Sequence, residues 1–155
     1  VGTHQKISLT LNQIAVIIAN VMSFLARLPQ ITLLGAFSIF SLTLYLTITS
    51  GAGISQLINL VIVLLLALTV MLMFLAQNPN NENAALIFWF GAGVWGAAAY
   101  LNFQTLGILQ LVIALLSAAS AFWIERESRV YSFIGPALLI GTGLSLVIIS
   151  NLLAR

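Results

Sequence analysis

Residues Ile54 to Ala76 form an unbroken run, ISQLINLVIVLLLALTVMLMFLA, with no charged residue, no proline and no glycine. At a rise of about 1.5 Å per residue, a helix of this run matches the ~30 Å hydrocarbon core of a bilayer. The sequence on either side repeats the pattern more weakly. Composition enters because the whole chain shares this solvent preference: 61% of residues are hydrophobic, 5% are charged, and the mean hydropathy is +1.15. A soluble domain carries about a quarter charged residues, so this chain cannot cover its own surface with polar groups.

Proline, glycine and polar clusters divide the remainder. The sequence predicts six transmembrane helices, at about 9–26, 31–49, 54–76, 84–101, 106–124 and 130–154, in one all-α domain covering residues 1–155. Short loops force sequential helices to pack antiparallel in a bundle. Val1 to Ser8 reads as a polar lead, and Arg27-Leu28-Pro29-Gln30 as a break, because proline lacks a backbone donor. Gln77 to Asn83 (QNPNNEN) is the most polar loop, and Glu125 to Arg129 is the charge cluster after the fifth span. Gly135-Pro136 predicts a kink in the sixth. The chain opens on Val1 and not on methionine, consistent with a trimmed or processed terminus.

An even number of spans places both termini on one side. Arg27, Arg126 and Arg129 lie in odd-numbered loops, so the positive-inside rule puts those loops in the cytoplasm or stroma and the termini on the outer, periplasmic or lumenal side.

Several function classes are excluded by what the spans lack. They hold no Asp, Glu, Lys, Arg or His, the groups that mark proton relays and ion-coupled transport. His4 is the single histidine and there is no cysteine, which leaves no metal site, no thiol nucleophile and no imidazole for a pigment metal. No carboxylate pair or phosphate loop is present, so the chain reads as no enzyme. The net charge of +2 comes from too few groups to suggest nucleic acid. No cofactor is evident; bound lipid, or a pigment held by an amide, a carbonyl or water, stays open.

Within lipid, helices associate through close packing and hydrogen bonds. Three rows of small residues four apart offer contact faces: Ala15, Ala19 and Ser23; Ala92 and Gly96; Ala137, Gly141 and Ser145. Polar side chains inside the spans are candidates for contacts to another helix or to a solute: Asn20, Ser38, Ser41, Tyr45, Asn59, Gln110 and Ser117. Gln110, Ala114, Ser117 and Ala121 recur at helical spacing and share a face. Trp95, with Gly93 and Gly96 beside it, is a candidate for stacking on a solute or a helix, whereas Trp89 and Trp123 suit the membrane interface.

Ile14 to Ile31 (IAVIIANVMSFLARLPQI), a second span, and Asn59 in the third give the first half a resemblance to the three-helix unit of the PQ-loop transporters, the SWEET and SemiSWEET sugar carriers. That resemblance implies a hinge at Pro29 and Gln30 and a sugar contact at Asn59. The second half contains no further Pro-Gln pair. Two functions follow. The first is a non-catalytic subunit of a membrane complex, partnered by the bilayer and by other subunits or further copies of itself. The alternative is a carrier of a neutral polar solute.

Overall fold

The structure, a computed structural model, describes residues 2–49, 54–102, 106–128 and 133–153, with the side chains of 2–12, 54–58, 128 and 153 outside the description. The described residues form six helices and no strand: α1 (Gly2–Ala26), α2 (Leu28–Thr49), α3 (Ile54–Leu75), α4 (Ala84–Leu101), α5 (Gly107–Ser128) and α6 (Ile134–Leu153). Four helical stretches are long and apolar enough to cross a membrane: Leu28–Thr49, Ala84–Leu101, Gly107–Glu127 and Ile134–Leu152. The fully described parts of α1 and α3, Gln13–Ala26 and Asn59–Leu75, are shorter apolar helices.

The helix ends differ from the sequence expectation at four places, each for a local reason. The first helix takes in the polar lead and begins at Gly2. The break at Arg27 is a single residue, whose N–H bonds Phe24 O at 3.0 Å and whose carbonyl accepts from Ile31 N at 3.0 Å, so it ends one helix and begins the next. Pro29 therefore sits in the first turn of α2, where its missing donor costs no hydrogen bond. The same holds for Pro136, in the first turn of α6, so the expected kink is a helix start. Finally α5 runs on through Glu125, Arg126 and Glu127 to Ser128, because a helix need not stop where the hydrocarbon does. Arg129 lies outside the described residues.

α4 is the central helix. Its Ala and Gly content lets neighbours approach on nearly every side, and Phe88, Gly91, Ala92, Gly93, Val94, Trp95, Ala97, Ala98 and Ala99 are all buried. It packs on α3, α5 and α6, while α2 packs on α3 and α5, so α2, α3, α4 and α5 close a four-helix ring with α6 laid against α4 from outside. Opposed residues give the directions. Gly91 meets Ser117 and Gly96 meets Ala114, so α4 and α5 are antiparallel; Gly135 meets Trp89 and Gly93 meets Leu139 and Thr142, so α4 and α6 are parallel. Thr32 meets Ser120 and Thr43 meets Gln110, which makes α2 and α5 antiparallel. The ring is filled by Leu66, Met73, Phe88, Trp95 and Ile113, with Ala36, Ala114 and Ala121 where backbones come close.

The α1–α2 break, the 77–83 loop and the C-terminal end of α5 share one end of the bundle, since Ala26, Pro29, Gln30, residues 77–86, Glu125 and Glu127 line one groove there. Single cysteines replacing Glu82 and Glu127 are accordingly expected to react with an impermeant thiol reagent from the same side of the membrane. Reaction from opposite sides would refute the arrangement, and the absence of native cysteine keeps the readout clean.

Candidate functional site

The polar side chains of α5 lie on the face predicted from their spacing. Gln110, Ser117 and Ser120 are fully buried, Ala114 and Ala121 are buried alongside them, and Glu125 at the end of the row is 6% exposed. At one end of this row Gln110 Nε2 donates to Thr43 Oγ1 (3.3 Å), and Thr43 Oγ1 donates to Ile39 O (2.8 Å). At the other, Thr32 and Ser120 hydroxyls stand 2.9 Å apart, with the carbonyls of Leu28 and Leu116 within reach of Thr32 and Leu116 O 2.8 Å from Ser120 Oγ. These contacts tie α2 to α5 in a setting where water is not available to substitute.

Between the two ties the row is less complete. Gln110 Oε1, Ser117 Oγ and, from α4, Trp95 Nε1 are buried with no hydrogen-bond partner. Ser117 and Gln110 are seven residues apart, about 10 Å along the helix, and Trp95 falls within that stretch because its neighbour Gly96 faces Ala114. An acceptor, a hydroxyl and an indole donor thus line one seam.

The groove at the bundle end has a volume of about 1050 Å³. Its floor is held by Gln77, whose Nε2 donates to Pro29 O (3.2 Å) and Met73 O (3.3 Å). Asn78 and Asn81 shape the loop by accepting on their side-chain oxygens from Asn80 N (3.1 Å) and Asn83 N (3.0 Å), the local bonding that favours Asn in turns. Glu82 and Glu127 are exposed, whereas Glu125 accepts from Trp89 Nε1 at 2.9 Å. Beside it Arg126 lies 5.8 Å from the Trp123 ring centroid, a cation–π contact.

A second cavity, of about 40 Å³, lies between α3, α4 and α6 and is lined by Ile62, Leu65, Val94, Ala98, Leu146 and Ile149 among others. It is far smaller than the ~300–1,000 Å³ of a ligand pocket and too small for a pigment ring. Among the described residues no group of three His, Cys, Asp or Glu stands together as a metal site.

The other candidates are placed as follows. Ala92 is buried and Gly96 half-buried against α5. Ser38, Ser41 and Tyr45 face outward from the ring, with Tyr45 63% exposed, and the two serine hydroxyls bond Leu34 O and Phe37 O on their own helix. Asn59 is half-buried, Pro29 half-buried and Gln30 exposed at the groove. Ala15, Ala19, Asn20 and Ser23 are exposed on α1, and Ala137, Gly141 and Ser145 are exposed on the side of α6 away from α4. The face α6 turns to α4 carries Gly135, Leu139, Thr142 and Gly143 instead.

Sequence reasoning passed over Gln77, Thr32 and the Trp89–Glu125 pair. Gln77 and Glu125 fell in expected loops, and the contacts that tie them to other helices, to Pro29 O and Trp89 Nε1, span 48 and 36 residues of sequence.

A comparison with protein families, curated proteins and solved structures finds no match. The fold and composition define the class: a helical, membrane-embedded protein.

Proposed function

We propose that the chain is a non-catalytic subunit of a membrane assembly, built on an antiparallel bundle of crossing helices. The observation that carries this reading is the row Ala137, Gly141 and Ser145, which points away from the rest of the chain. A Cβ added at Gly141 meets nothing within 4 Å, and Ser145 Oγ is already bonded to Gly141 O at 2.6 Å. Such a surface lets another helix approach to backbone distance without stranding a polar group. The filled ring interior adds support, since Trp95, Phe88, Leu66 and Met73 occupy the space a solute path would need.

Replacing Gly141 with leucine tests the reading. The variant should keep the thermal stability of the isolated chain, because the position is open, and should lose co-purifying chains or copies in native mass spectrometry of mildly solubilised membranes. Retention of the same partners, or purification of the unmodified chain with none, would refute it.

A second reading, the carrier of a neutral polar solute, is favoured by the unpartnered Trp95 Nε1, Gln110 Oε1 and Ser117 Oγ on a seam leading toward the groove at Pro29 and Gln30. Ser117→Ala removes a hydroxyl that bonds nothing, so its effect on stability should be near zero. Solute flux in proteoliposomes that the unmodified chain supports and Ser117→Ala abolishes would establish the carrier over the subunit.

A further inference from the structure

Six crossings require α1 to fold back alongside α2, and the link between them works against that. Antiparallel helix pairs use connections of about 2–5 residues, whereas Arg27 alone both ends α1 and starts α2. In agreement, α1 touches α2 and α5 only sparsely, and each described side chain from Gln13 to Phe24 is exposed. The junction also lies at the groove end, level with Asn78, Asn80, Glu82 and Glu127, the polar end of the bundle. α1 therefore departs from α2 at the boundary between hydrocarbon and water.

The sequence of α1 suits that boundary. Gln13, Asn20 and Arg27 are seven apart, so successive members drift by only ~20° and form one line along the helix. Ile14, Ile18 and Met22 lie on the far side; Ile18 is about 160° from Asn20 at ~100° per residue. An amide halfway along a lipid-buried helix would need a protein partner for two donors and a carbonyl, yet the Asn20 side chain is exposed. On the membrane surface water and headgroups fill that role, and Arg27 faces anionic lipid.

We infer that α1 is a largely apolar helix lying in the membrane interface at the groove end, with the line Gln13, Asn20 and Arg27 toward headgroups and Ile14, Ile18 and Met22 toward acyl chains; Val16, Ile17 and Phe24, within about 60° of that line, sit at the level of the headgroup–acyl boundary. The crossing helices are then α2 to α6. It follows that α1 and the C-terminal end of α6, which lies beside Leu101 at the opposite end of α4, belong to opposite sides of the membrane. This places the N-terminal helix on the side of Arg27 and Arg126, not on the outer side that six crossings imply.

The test uses the full chain in lipid vesicles of one orientation, carrying single cysteines in place of Gln13, Asn20, Ile18 or Glu82. Gln13→Cys and Asn20→Cys should react with an impermeant maleimide from the side on which Glu82→Cys reacts. Ile18→Cys should lose that reaction, and a fluorophore attached to it before reconstitution should be quenched by brominated acyl chains. Failure of Gln13→Cys and Asn20→Cys to react from either side would overturn the inference, as would equal labelling of Ile18→Cys and Asn20→Cys. Reaction of Gly2→Cys from the side opposite Glu82→Cys would show that α1 crosses. All these positions except Glu82 lie on α1, so the Gly141 partner test succeeds or fails independently.

Discussion

Alanine in place of Gly93 is expected to separate α6 from α4 and to lower thermal stability more than alanine at Gly96 or Gly141. At Gly93 the two helices come close enough to leave no room for a side chain: an added Cβ would run into the Thr142 hydroxyl and stand 2.8 Å from Leu139 O and 3.3 Å from Leu139 Cα. The threonine can rotate, although its hydroxyl would give up the 2.6 Å bond to Leu138 O. The Leu139 backbone cannot move without its helix. Overpacking of this kind costs about 1–3 kcal/mol, and more where backbone must shift. At Gly96 the nearest obstacle is Ala114 Cβ at 4.0 Å, ordinary contact, and at Gly141 there is none within 4 Å. Leucine at Gly96 would press on Ala114 and should fall between these extremes. Unfolding of the three alanine variants in one detergent gives the order. Equal stability of Gly93→Ala and Gly141→Ala would show that the α4–α6 contact does not hold in solution.

That contrast shows how far the sequence reaches. Hydropathy marked six apolar stretches and the described residues form six helices: the expected fourth span, 84–101, coincides with α4, whereas the first helix begins at Gly2, seven residues before the expected start at 9. The α5 face was legible because Gln110 and Ser117 are polar in an apolar run, so their spacing alone specifies which side avoids lipid. Small residues carry no such mark. On α6 spacing favours the row Ala137, Gly141 and Ser145, since Gly135 and Gly143 are eight apart with Leu139 between them, and only the position of α4 decides that this second face is the one used inside the chain. Helix ends beyond the hydrocarbon were also hidden, because hydropathy reports the thickness of the lipid and not the length of the helix. That is why Glu125 read as a loop residue and its partner Trp89 as an interfacial anchor. The one-residue link at Arg27 was obscured for a related reason: Pro29 signals a boundary, and a boundary does not reveal whether the chain turns back or turns aside.

Loss of the Trp89 indole donor is expected to be the second large effect. Trp89 joins three helices at the groove end: its ring lies against Gly135 at the start of α6, and its Nε1 donates to Glu125 Oε1, 2.9 Å away near the end of α5. Glu125 is 6% exposed, so water replaces a lost donor poorly. A hydrogen bond to a charged group contributes about 1.5–3 kcal/mol, and Trp89→Phe should lower stability by an amount in that range while keeping an aromatic ring against Gly135. Glu125→Gln keeps an acceptor oxygen for the indole and should cost less than Trp89→Phe. Pairing Trp89→Phe with Glu125→Leu separates the bond from the packing: if the bond dominates, the double variant should be more stable than the sum of the two single losses predicts, because either change alone already breaks the same bond. Strict additivity would mean that Trp89 acts through its ring alone. The same variants bear on the groove, since a loosened α5 end would alter the setting of Glu127 and with it the same-side labelling expected for cysteines at 82 and 127. Wild-type stability of Trp89→Phe together with unchanged labelling would remove the tie from the account of how this end of the bundle is held.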